Sequence, residues 1–123
     1  MLRPTKIYTQ TVLQIIKKVR IKAAAHITGG GFYDNIPRVL PQGLSAAIRR
    51  RSWTIPPIFR TIQKRGNISE EEMFRTFNMG IGMVLILSQR STERALAISK
   101  ELGVKAWEIG DIIEGDGSVN ILE

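Results

Sequence analysis

An α/β fold of the α+β type, a ferredoxin-like-related mixed sheet of four to five strands with helices packed on it, is predicted for this 123-residue sequence by three observations. Short strands and amphipathic helices alternate in a β-α-β order twice. Two consecutive helices with clear start signals stand between those halves. The continuous apolar run of residues 84–87 reads as a fully buried central strand. The order of helix, β-α-β, two helices, β-α-β and terminal hairpin is similar to a split β-α-β arrangement with an added helix pair. A chain of this length is expected to form one domain, residues 1–123, around one core.

The elements follow in order. Residues 9–18 carry Val12, Ile15, Ile16 and Val19 at the spacing of one buried helical stripe, with a basic outer face. Residues 21–28 alternate as a strand, with small alanines on both faces that allow close packing. Gly29, Gly30 and Gly31 then make a turn that only small residues tolerate, followed by a short helix over residues 35–40 with Asp34 or Asn35 as its cap and Pro37 in its first turn. Residues 44–49 alternate as a second strand. Pro56-Pro57 starts the next helix, and Ser69-Glu70-Glu71-Glu72 has the pattern of a capping box for the one after it. Ser91-Thr92 is expected to cap a helix that runs to Leu102 and closes at Gly103. Strands over 106–113 and 118–122 complete the chain around the turn Gly115-Asp116-Gly117.

Composition narrows the function classes. Hydrophobic residues at 43% and charged residues at 24% are globular values and argue against disorder or a coiled coil. No apolar run approaches a membrane span and no signal-peptide core opens the chain, so a soluble, cytoplasmic protein without a membrane partner is expected. The absence of cysteine removes disulfides and thiolate metal sites, and one histidine argues against a zinc centre; no metal ligands are assigned. A net charge of +7 and a pI near 10.3 raise the question of nucleic acid. The basic clusters around Lys17 to Lys22 and Arg49 to Arg51 lack interleaved aromatics and read first as solvated faces, so nucleic acid is not the expected partner.

A glycine turn before a helix start exposes N–H groups and suits an anion, phosphate above all, although the same turn also serves as a tight strand-to-helix connection. In a split β-α-β arrangement the end of the first strand lies beside the start of the third, which brings Thr28, Gly29, Gly30 and Gly31 next to Asn78, Gly80 and Gly82. Two glycine-rich loops meeting in this way predict a phosphate or nucleotide cleft. Gly80-Ile81-Gly82 is not a dinucleotide fingerprint, because it precedes a strand where that fingerprint must follow one. Thr76, Asn78, Arg38 and Asn35 are the candidate polar contacts around the cleft, although Thr76 and Asn78 also suit tying down the helix-to-strand turn and Arg38 also reads as an ordinary surface arginine. His26 is a candidate general acid/base or phosphate donor, and equally a hydrogen-bonded strand residue. Trp53 reads as packing, and Glu70 to Glu72 as capping residues.

At these positions the chain resembles the C-terminal domain of the phosphoribosylformylglycinamidine cyclo-ligase (aminoimidazole ribonucleotide synthetase) family. The resemblance is carried by Leu2-Arg3-Pro4-Thr5-Lys6-Ile7-Tyr8, His26-Ile27-Thr28-Gly29-Gly30-Gly31-Phe32, Asn35-Ile36-Pro37-Arg38 and the run from Met73 to Met83, with Trp53, Pro56-Pro57-Ile58-Phe59 and Ile109-Gly110 in support. It implies that domain's fold and a part in de novo purine biosynthesis. There, ATP-driven activation of the amide oxygen of formylglycinamidine ribonucleotide leads to ring closure, giving aminoimidazole ribonucleotide, ADP and phosphate. It also implies ATP and Mg2+ as cofactors, held mainly by an N-terminal ATP-binding domain absent from this sequence, and a homodimer in the full enzyme. The chain alone is then expected to be inactive. The competing expectation is a non-catalytic module that binds a phosphorylated ligand or an acidic partner.

Overall fold

A computed structural model describes residues 9–122, with side chains from Val12 onward; the motif from Leu2 to Tyr8 lies outside the described residues. The chain divides into two compact units, one formed by the chain up to Ala23 with Leu85–Glu108, the other by Ala24–Val84 with the chain from Ile109 onward. Each has its own apolar cluster.

In the first unit, helix α1 (Thr9–Lys18) and helix α5 (Gln89–Glu101) bury Ile15, Val19, Ala95 and Ile98 together with Ile21, Leu85 and Leu87. The apolar positions of α1 recur at helical spacing, so one stripe is buried while Ile16 stays half exposed. Helix α5 begins one turn earlier than Ser91-Thr92 suggests, with Ser88 at its cap position. Its end is as expected: Gly103, at φ +73°, donates to the carbonyl of Lys100, and Val104 donates to that of Ser99.

The second unit contains helix α2 (Gly31–Asn35), strand β2 (Leu44–Arg49), helices α3 (Pro57–Gly66) and α4 (Glu70–Thr76), and strands β4 (Gly110–Glu114) and β5 (Val119–Leu122). Its core includes Phe32, Ile36, Ala46, Ile48, Trp53, Met73, Phe74, Met79 and Val119. Phe32, Trp53 and Phe74 form the aromatic centre, with ring centroids 5.5 to 6.1 Å apart. Strand β1 (Ile21–His26) pairs with β3 (Met83–Leu87), and Ile27 N–H donates to the Gly82 carbonyl at 2.9 Å. The end of β1 therefore lies beside the start of β3.

The α+β class is as the sequence predicts, but the five strands form two sheets, β1-β3 and β4-β2-β5. Three expectations change with this. The central strand is β2, flanked by antiparallel β4 and parallel β5, whereas β3 has only half-buried residues. An apolar run alone does not distinguish a central strand from one whose residues serve different clusters, and here Val84 joins one cluster while Leu85 and Leu87 join the other. The last two strands form no hairpin. Their turn crosses the end of β2: Gly117 N–H donates to Ser45 Oγ and Ala46 N–H to the Ser118 carbonyl, which delivers β5 to the far side of β2. The helix after the glycines starts at Gly31 instead of near Asn35, and Pro37 opens a separate 3-10 turn, Pro37–Val39.

Candidate functional site

The glycine turn is built by three different constraints. Gly30, at φ +91°, and Gly31, at φ +59°, occupy the left-handed region that side chains disfavour. A Cβ at Gly31 would strike the Phe74 carbonyl oxygen and come within 2.9 Å of that of Phe77, so this glycine lets the turn sit directly on the end of α4. A Cβ at Gly30 would strike the Asp34 carboxylate, whereas one at Gly29 would meet nothing within 4 Å. The turn is packed at Gly31 and open at Gly29.

Asn35 fixes this shape. Only 6% exposed, it donates through Nδ2 to the carbonyls of Gly31 at 2.7 Å and of Thr28 and Gly29 at 3.3 Å, and Thr28 Oγ1 donates to its Oδ1. The sequence suggests Asn35 as a helix cap or ligand contact. The structure instead places it at the end of α2, with its donor spent on the turn's own carbonyls. With those carbonyls drawn inward, the N–H groups of Gly29 and Gly30 have no partner among the described residues. The carboxylate against Gly30 repels an anion there, so the Gly29 side is the one that can take it.

The second loop adjoins the first through Phe77 at Gly31 and Gly82 at Ile27. Asn78 Oδ1 accepts from Gly80 N–H at 2.9 Å, making a local turn. Between them, Met79 stands at φ +53° with no exposed surface, an unusual conformation for a residue with a long side chain. Its carbonyl accepts from Trp53 Nε1 at 3.0 Å, and a Cβ on Gly80 would strike Pro56. Trp53 and Pro56 therefore brace the back of this loop. The sequence identifies Trp53 as packing but not this bond, because the partner is a carbonyl 26 residues away.

The remaining candidates are dispersed around these loops. His26 ends β1 and is exposed. Arg38 is exposed in the 3-10 turn, and Thr76 is exposed at the end of α4, donating to Glu72 Oε1 at 3.2 Å. Neither Arg38 nor Thr76 has a hydrogen bond to the glycine turn among the described contacts. Nearby, burial raises the Tyr33 hydroxyl pKa and Glu71 adds to that, while Arg75, 4.8 Å above the ring, opposes it. Among the described residues no three His, Cys, Asp or Glu side chains stand together. No helix among them is long and apolar enough to cross a membrane.

Two glycine-bearing loops at one strand junction, one with an open N–H face, define a domain suited to holding an anionic group. Comparison with known proteins then places the chain: it belongs to the family described as AIR synthase related protein, C-terminal domain, whose pattern matches residues 1–122. It is 51% identical over 119 residues to the phosphoribosylformylglycinamidine cyclo-ligase of Caldicellulosiruptor saccharolyticus and 53% identical to that of Caldanaerobacter subterraneus subsp. tengcongensis. Each match covers 97% of this chain and 35% of the relative, so the chain spans about a third of their length. Among solved structures, E. coli HypE, a hydrogenase maturation protein, shares the fold at a TM-score of 0.69 and 19% identity, over 94% of this chain and 36% of HypE.

Proposed function

We propose that this chain is the C-terminal, substrate-holding part of an ATP-dependent cyclo-ligase that converts formylglycinamidine ribonucleotide to aminoimidazole ribonucleotide in purine biosynthesis. The observation that carries this reading is the open N–H face at Gly29 beside the Asn78 loop, in a chain about half identical to proteins named for that reaction. Preorganised N–H donors stabilise an anion without reorganising when it arrives. The ribonucleotide phosphate sits on the Gly29 side of the turn. Thr28, Arg38, Thr76, Asn78 and the Gly80 backbone supply further contacts from the surrounding loops, and Asn35 holds the turn in shape. His26 is assigned proton transfer.

ATP, when bound, supplies the phosphoryl group that activates the amide oxygen. The residues holding ATP and Mg2+ belong to the N-terminal part that the relatives have in addition, and the assembled enzyme is a cytoplasmic homodimer. The alternative is a non-catalytic module for a phosphorylated ligand or an acidic partner, which the basic charge of +7 favours. Titration of the 123-residue chain with formylglycinamidine ribonucleotide, followed by addition of the N-terminal part of the Caldicellulosiruptor relative with ATP, separates the two. Substrate binding with turnover on complementation is expected. Phosphate binding without any turnover in the complemented protein supports the module instead.

A further inference from the structure

A second basic feature lies apart from the glycine turn. The 3-10 turn Arg50–Ser52, the start of α3 and the N-terminus of α4 enclose a cleft of about 380 Å³ lined by Arg50, Arg51, Trp53, Ile55, Arg60 and Glu70. Three arginines and one carboxylate line it, and two of the arginines reach that carboxylate. Arg60 hydrogen-bonds Glu70 Oε1, Gln63 donates to the same oxygen at 3.1 Å, and Arg50 Nη1 stands 3.1 Å from Oε2. Glu70 therefore holds two of the arginines in place, which removes much of the entropy cost of ordering them around an incoming ligand. Glu70 engages Arg50 and Arg60 but not Arg51, so none of the Arg51 N–H donors is spent on this carboxylate. Arg51 is exposed and has no ion-pair partner among the described residues. The indole of Trp53, 6% exposed, forms an apolar wall that weakens solvent screening of those charges.

We propose that this cleft is a second anion-binding site, for a phosphate or pyrophosphate group, with Arg51 as its free arm and Arg50 and Arg60 as the arms fixed by Glu70. Planar guanidinium groups match phosphate oxygens in paired hydrogen bonds, which a scattered basic surface does not offer. Trp53 reports occupancy directly, because it lines the cleft and is tied by Nε1 to the Met79 carbonyl.

The chain has two tryptophans, so Trp107→Phe leaves Trp53 as the sole emitter. In that background, titration with inorganic pyrophosphate at constant ionic strength is expected to give a saturable change in Trp53 emission. Arg51→Gln should weaken the apparent affinity about tenfold, the loss of one charge-assisted pair. Lys100→Gln, which removes an equal charge at an exposed position of α5, and Gly29→Val should leave it within twofold. The absence of a saturable response overturns the proposal. So does an equal shift from Arg51→Gln and Lys100→Gln, which marks diffuse charge attraction. Loss of the response in Gly29→Val with retention in Arg51→Gln places the anion at the glycine turn and overturns the second site while supporting the first.

Discussion

A methyl group at Gly31 would run into backbone oxygen of α4, whereas the same group at Gly29 would enter open space, so neighbouring glycines separate folding from binding. Gly31→Ala combines that clash with a left-handed φ and should destabilise the chain by about 2 to 4 kcal/mol, read from the denaturation midpoint. Gly29→Val should leave the midpoint within about 0.5 kcal/mol yet reduce ribonucleotide affinity at least tenfold in a titration. A large loss of stability with intact affinity would mean that Gly29 is structural. Asn35→Ala removes three side-chain hydrogen bonds to carbonyls of the turn and should cost about 1 to 3 kcal/mol. Asn78→Ala removes only the local bond to Gly80, so a cost nearer 1 kcal/mol is expected.

Helix α4 ties its own N-terminus to the arginine cleft. Ser69 Oγ accepts from Glu72 N–H at 3.2 Å as the capping pattern predicts, and Glu70 beside it receives Arg60 and Gln63. Burial raises the Glu70 carboxyl pKa, but hydrogen bonds from Gln63 and Arg60 and the charges of Arg60 and Arg50 outweigh it, leaving a net decrease. A carboxyl with a depressed folded-state pKa contributes stability that is fully present above the ordinary glutamate range and lost as pH falls through the folded value. Denaturation midpoints measured from neutral pH to below about pH 4 should therefore fall less steeply for Glu70→Gln than for the parent. An identical slope would show that the cluster does not favour the ionised form. Among the strands, Ile48 lies in β2 between two partners and is 4% exposed, so Ile48→Ala should cost about 2 to 4 kcal/mol. Val84→Ala, at a half-buried position of β3, should cost visibly less in the same assay.

For the whole molecule, the chain spans about a third of the length of relatives named as cyclo-ligases. The purified chain should give no ATP-dependent cyclisation, and the complemented protein should regain it. Measurable turnover by the chain alone, free of contaminating enzyme, would refute the division of roles proposed here. Ile112, Ile113 and Leu122 of the β4-β2-β5 sheet remain substantially exposed, and nothing within the described residues covers them.

Local pattern was enough to locate most elements, because strand alternation, helical stripes and caps are set by residues only a few positions apart. The boundaries of β2 and the Ser69 cap of α4 were legible in this way, as was the glycine turn, and separate short motifs, among them His26 to Phe32, Asn35 to Arg38 and Met73 to Met83, carried the family resemblance. Tertiary structure decided what distance in sequence conceals. It made β2 the central strand, by carrying the last turn over Ser45, and it assigned the three glycines separate roles according to what faces each one. The bond from Trp53 to Met79 and the convergence of Arg50 and Arg60 on Glu70 likewise depend on partners brought together by packing. A residue's type and spacing specify its local conformation, but which atoms it meets depends on how distant segments are folded against it.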